Sequence, residues 1–133
     1  LENYIKVVEI EALMIAELSR THIISAAYDY VNKLGTEYSN LKQMGHTAHA
    51  NGIKSHVDEI CTQIAAIKTN VSKMNDELAK AHKKHNASET AQAISKNVKP
   101  YFTSIRKSAD ELEQLVDDHY WRLPKYRELL FVR

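Results

Sequence analysis

Apolar residues recur every three or four positions along most of this 133-residue chain, which is the spacing that places side chains on one face of an α-helix. The pattern is most regular in the middle of the chain, where every step is three or four: Ile53, Val57, Ile60, Ile64, Ile67, Val71, Met74, Leu78 and Ala81. The chain holds only three Gly and two Pro, so it offers few of the turn residues that sheets and loop-rich folds need. The pattern therefore predicts an all-α protein.

Breaks in this pattern divide the chain into three predicted helices, over about residues 2–44, 52–85 and 88–119, followed by a tail over residues 120–133. Short loops between long amphipathic helices favour an antiparallel arrangement. We therefore expect a single domain, built as an antiparallel bundle of three long helices with an extended aromatic C-terminal tail.

Three residues are expected to mark boundaries or irregularities in these helices. Gly35 predicts a kink or a fraying point in the first helix, because Gly is less favourable than Ala in a helix by about 1 kcal/mol. Pro100 removes one backbone hydrogen bond, and it predicts a kink near Lys96 or a break between two shorter helices. Ser88 is of the residue type that caps helix N-termini, and it is expected to start the third helix.

The first half of the first predicted helix does not carry a single stripe. Its apolar residues, among them Tyr4, Ile5, Val8 and Leu13, point to all sides of the helix. A helix that is apolar on every side is usually buried on every side. Two partner helices cannot cover it all, so we expect another subunit or another part of the same polypeptide to cover the remainder.

The C-terminal tail is unusually apolar for a chain end. An exposed patch of this kind usually marks a contact, and Pro124 disfavours helix for the residue before it. Two interpretations stay open: the tail caps the core of the bundle, or it docks onto another domain or subunit. The residues concerned are Trp121, Leu123, Pro124, Tyr126, Leu129, Leu130 and Phe131.

Composition narrows the possible classes of protein. A net charge of +1 gives no reason to expect nucleic acid or a membrane surface as a partner, and no apolar run approaches the roughly 20 residues that span a bilayer. The single Cys61 forms no internal disulfide, which favours a cytoplasmic location. The chain starts at Leu rather than Met, so we expect it to be a fragment of a longer polypeptide.

The residue types that carry catalysis or bind metals do not assemble into a recognisable site. His46 and His49 form one pair and His82 and His85 another, but the two pairs lie at opposite ends of the second predicted helix, about 50 Å apart. Each pair lacks the third ligand that a zinc site usually needs, and Glu-x-x-His, the spacing of di-iron bundles, does not occur. Cys61 lies beside the apolar stripe and is expected to be a small, semi-buried side chain.

Both ends of the chain nevertheless resemble one family. The start, ENYIK followed by EIEAL, and the end, DELE, LV, Trp121 and PKYRELLF, are similar to the C-terminal region of type III glutamine synthetases. The resemblance covers about residues 2–35 and 105–131. The chain departs from the family at Arg122 and Ser25, where the family commonly has Pro. Both departures concern local backbone shape and not chemistry.

The resemblance implies a parent enzyme that joins ammonia to glutamate with ATP and divalent metal ions. The residues that bind its metal ions, nucleotide and glutamate would belong to an upstream domain. No catalytic, cofactor-binding or metal-binding residue is therefore assigned to this chain. The chain would be the helical, non-catalytic C-terminal domain of a ring-shaped homo-oligomer, with the missing catalytic domain and neighbouring subunits as partners. The residues expected to pack or make contacts are Tyr4, Ile5, Val8, Leu13, Trp121, Leu123, Pro124, Tyr126, Leu129, Leu130 and Phe131.

The alternative is a free-standing helical bundle that binds a partner protein. In that case the tail or the first helix would anchor the partner, as an apolar helix face does in a groove.

Overall fold

A computed structural model of the protein describes residues 1–121. These residues form five α-helices, two π-helical segments of five residues and one 3₁₀ turn, without a β-strand among them, so the all-α prediction is confirmed. In chain order the elements are α1 (Glu2–Leu18), the first π segment (Ser19–Ile23), α2 (Ile24–Gln43), α3 (Thr47–Ala81), α4 (Ala87–Ala93), the second π segment (Ile94–Val98), α5 (Lys99–Leu115) and the 3₁₀ turn (Asp118–Tyr120).

The number of helices differs from the three expected, because the π segments divide the first and the third predicted helix. Each π segment is closed by a backbone hydrogen bond that spans five residues instead of four. The Ile24 N–H donates to the Ser19 carbonyl, and the Lys99 N–H donates to the Ile94 carbonyl. The chain continues from helix to helix through both segments, so α1 leads directly into α2 and α4 leads into α5.

The first π segment lets two side chains five positions apart face the same core. Ser19 is 2% exposed and Ile24 is 7% exposed. In an ideal α-helix a step of five residues turns two side chains about 140° apart, so one of them would leave the core. The wider π turn absorbs the extra residue and keeps both inside. The sequence pattern did not indicate this segment.

The second π segment lies where a disturbance was expected. Lys96 falls inside it, and Pro100 occupies the first turn of α5. Pro has no N–H to donate, and its ring would clash with the carbonyl four residues earlier, so the widened turn accommodates it without ending the helix. The helix does not fray at Gly35, because α2 continues through this residue to Gln43.

A tight turn reverses the chain between α2 and α3. Gly45 has φ of 85°, the left-handed conformation that Gly adopts at helix ends. The His46 N–H donates to the Leu41 carbonyl at 2.9 Å, and the Gly45 N–H donates to the Lys42 carbonyl at 3.1 Å. These two bonds define a Schellman motif, which satisfies the last carbonyls of α2. As a result, α2 and α3 pack along each other.

Several helix boundaries differ from those in the sequence prediction. The second long helix starts at Thr47, not near residue 52, and it ends at Ala81, before the basic stretch 82–85. The next helix is capped by Asn86 instead of Ser88: the Asn86 side chain accepts a hydrogen bond from the Glu89 N–H at 2.9 Å. The last long helix ends at Leu115, not at residue 119, because the backbone of Val116 is extended.

The core follows the predicted stripe of α3. All nine stripe positions belong to the core or pack against it, and five of them are 3% exposed or less. In α5, Phe102 is buried, with 4% exposure, and Tyr101 is half-buried and packs against the core. Trp121 packs against this core. The other tail residues lie outside the described part of the chain.

Within residues 1–121, the helices are too short or too polar for any of them to cross a lipid bilayer.

The cap assignment can be tested with two alanine variants. We expect Asn86→Ala to lower the free energy of unfolding by about 1 kcal/mol, because the Glu89 N–H loses its acceptor. Ser88→Ala is the matched control, since Ser88 is exposed, and its effect should stay within about 0.5 kcal/mol. Urea unfolding followed by circular dichroism measures both, and a larger loss for Ser88→Ala would contradict the assignment.

Candidate interaction surface on the first helix

Helix α1 has two apolar faces, and only one of them is covered by the rest of the described chain. Its inner face carries Val8, which is 3% exposed, and Ala12, which is fully buried. Tyr4, Ile5 and Ile15 are half-buried beside them and pack against the core. This face lies against α3, α4 and α5.

The opposite side of α1 carries large apolar side chains that remain in water. At about 100° per residue they fall within an arc of roughly 140°, facing away from Val8. We call these five residues the outer face of α1: Val7 (47% exposed), Ile10 (56%), Leu13 (66%), Met14 (57%) and Leu18 (39%). A contiguous apolar patch of this kind is typical of a contact surface.

Two polar contacts lie at the edges of the inner face of α1. The Glu9 carboxylate lies 3.0 Å from Nε2 of His82, just after the end of α3. The Lys99 ammonium lies 5.7 Å from the centre of the Tyr4 ring, which is within the range of a cation–π contact. Both contacts are partly solvated and therefore weak. The burial of Val8 and Ala12 sets the direction in which the outer face points, and these two contacts are consistent with it.

The structure places the predicted contact residues of α1 on different sides. Val8 faces the core, Tyr4 and Ile5 lie half-buried at its edge, and Leu13 is on the outer face. Of the predicted tail residues only Trp121 is described, and it lies against the core. Leu123, Pro124, Tyr126, Leu129, Leu130 and Phe131 lie outside the described residues.

Sequence reasoning missed a second cluster, which anchors the end of α5. Nε2 of His56 lies 2.7 Å from the carbonyl oxygen of Leu115. A carbonyl can only accept, so Nε2 carries the proton and donates it to one of the carbonyls left without a partner at the helix end. Tyr30 meets the His56 ring edge-on at 6.0 Å and the Tyr120 ring at 5.4 Å. Only the position of His56 beside Val57 of the α3 stripe could have indicated this role.

The remaining candidate ligands do not converge in the part of the chain that the structure describes. His46 and His49 lie edge to face with ring centres 6.0 Å apart, and His82 is engaged by Glu9. No three side chains of the types that bind metals come together among residues 1–121. Cys61 is exposed, so the expectation of a semi-buried thiol is wrong.

Comparison with known proteins agrees with the resemblance seen at the two ends of the sequence. Residues 1–42 match the family model of the glutamine synthetase C-terminal domain. The chain is 36% identical to a glutamine synthetase of Bacteroides fragilis (strain YCH46), over 100% of the chain and 19% of that protein. It is 26% identical to a type-3 glutamine synthetase of Dictyostelium discoideum, over 99% of the chain and 18% of that protein.

The resemblance to the C-terminal domain of type III glutamine synthetases is therefore confirmed. The alignments also extend through the middle of the chain, between the two stretches where the sequence alone showed the resemblance. The chain spans about a fifth of the length of the curated relatives it matches, at 19% and 18%. The matched segment 1–42 contains the whole outer face of α1.

The role of His56 can be tested by removing its ring. We expect His56→Ala to lower the free energy of unfolding by about 1–3 kcal/mol, because the Leu115 carbonyl is left half-buried without its donor. His49→Ala is the control, since His49 is exposed and should change stability by less than about 0.5 kcal/mol. Urea unfolding measures both, and hydrogen exchange should show faster opening at the end of α5 in His56→Ala. Equal stability of the two variants would contradict the anchoring role.

Proposed function

We propose that this chain is the non-catalytic C-terminal structural domain of a type III-like glutamine synthetase, and that the outer face of α1 contacts the rest of that enzyme. The observation that carries the proposal is the position of the uncovered face. It lies within the segment that matches the C-terminal domain family, in a chain that spans only about a fifth of its relatives, at 19% and 18%.

The energetics of the outer face support a contact role. Complete burial of a large aliphatic side chain contributes about 1.5–3 kcal/mol relative to full exposure. The five residues of the outer face are between 39% and 66% exposed, so each still has roughly 1 kcal/mol to gain. A partner that covers the whole face would therefore gain several kcal/mol, which is the difference between a transient and a lasting contact.

The proposal gives this chain an architectural role and assigns the chemistry to the rest of the enzyme. The parent protein would ligate ammonia to glutamate with ATP, and ATP and divalent metal ions would bind to an upstream catalytic domain. The partners of the present chain would be that domain and the neighbouring subunits of a homo-oligomer. Such an enzyme would operate in the cytoplasm, which fits a chain with one cysteine.

The test is to identify the native polypeptide and to assay it. An antibody raised against this chain should detect, in the source cells, a protein far larger than the 15.2 kDa of the chain. The purified large protein should form glutamine from glutamate and ammonia in an ATP-dependent reaction.

The 133-residue chain alone should have no such activity, and it serves as the control for contaminating enzymes. A native band near 15.2 kDa, or a large protein without ligase activity, would overturn the proposal.

A further inference from the structure

A line of four residues along the outer side of α1 has an ordered charge pattern. Lys6, Ile10, Leu13 and Glu17 follow one another at steps of four, three and four, which keeps them on one side of the helix. All four are exposed. The line reads basic, apolar, apolar and acidic, and its spacing is symmetrical about a point between Glu11 and Ala12.

This symmetry makes the line complementary to itself when one copy is reversed. In an antiparallel pair of such helices, the basic end of each line lies opposite the acidic end of the other, and the two apolar residues meet in the middle. A parallel pair would place like charges opposite each other at both ends. Two-fold symmetric interfaces are built from one patch that complements itself in this way.

We propose that two copies of this chain pack antiparallel through the outer faces of α1. Lys6 of each copy lies opposite Glu17 of the other, and Ile10 of each copy packs against Leu13 of the other. This inference rests on the proposed contact role of the outer face, and it names the partner: the same face of a neighbouring subunit.

The surrounding residues suit this arrangement. Val7, Met14 and Leu18 flank the line on one side and widen the apolar seam. Glu9, on the other side, is engaged by His82 at 3.0 Å. Lys6 and Glu17 are eleven residues apart, about 16 Å along the helix, so they cannot pair within one copy. In the antiparallel pair, each lies opposite the complementary charge of the second copy.

The charges select the orientation more than they add affinity. Ion pairs at the rim of an interface are solvated and contribute little by themselves, but like charges in the same place penalise the wrong arrangement. The apolar centre supplies the attraction, because its side chains leave water on association. Reversing one charge should therefore weaken the dimer, and reversing both should restore it.

The experiment is sedimentation equilibrium of the 133-residue chain and four variants at low salt. The wild type should be a dimer. Lys6→Glu and Glu17→Lys each place two pairs of like charges in the interface, and each should raise the dimer dissociation constant on the order of tenfold or more. The double variant Lys6→Glu/Glu17→Lys should return to within roughly threefold of the wild type, since it restores the opposite pairing. Lys107→Glu, an exposed position on α5, makes the same charge change elsewhere and should leave the constant unchanged.

Three results would overturn the inference: a monomeric wild type, a dimer that neither single reversal weakens, or a double variant as weak as the single ones. Circular dichroism of each variant establishes that the helices are intact. A monomeric chain that still derives from a large, active ligase would leave the proposed function standing and assign the outer face to another part of that polypeptide. A charge-dependent dimer from a protein without ligase activity would support the antiparallel pairing and overturn the proposed function.

Discussion

The apolar stripe of α3 is the constraint on which the rest of the described structure depends. Ile60, Ile67 and Met74 are fully buried, and α1, α2, α4 and α5 all pack on this helix. Truncating one such side chain to Ala typically costs about 2–5 kcal/mol, which is a large share of the roughly 5–15 kcal/mol that stabilises a domain. The neighbouring helices must therefore keep their own apolar residues in register with α3.

The irregular features are the means by which the other helices keep that register. The first π segment rotates α1 so that Val8, Ala12 and Ser19 face the core together with Ile24. The second accommodates Pro100 without ending the helix. Because the core takes only the inner face of α1, no other part of residues 1–121 covers the outer face. The surface that we assign to contacts is thus a consequence of the packing on α3.

The parts of this structure that follow a strict period could be predicted from the sequence, and the parts that depart from it could not. The nine stripe positions of α3 were identified correctly, since three- and four-residue steps determine a buried face. The five-residue step between the buried residues Ser19 and Ile24 does not match the period of an α-helix. The inward position of Phe102 depends on how α5 is rotated after Pro100. Asn and Ser are equally suitable as helix caps, so residue type alone could not show which of them caps α4. The path of the loop places Asn86 at the cap.

The candidate surface was predictable in kind but not in detail. Apolar residues all around α1 indicated that something beyond two partner helices covers it. The pattern could not show which residues the chain covers itself, and the structure places Val8 inside and Leu13 outside. The anchoring role of His56 escaped prediction because its partner is a backbone carbonyl 59 positions away, and its position beside Val57 does not identify that partner.

Methionine oxidation in the native protein, isolated from its source, measures directly whether the outer face of α1 is covered. The chain carries three Met: Met14 on the outer face is 57% exposed, Met44 is 64% exposed, and Met74 is fully buried. Under dilute peroxide the sulfoxide forms fastest at accessible side chains, and mass spectrometry of the peptides gives each rate. If the outer face is a contact surface, Met14 reacts nearly as slowly as Met74 while Met44 reacts freely. A Met14 that is oxidised as fast as Met44 would show that the face is open to solvent and would contradict the assignment.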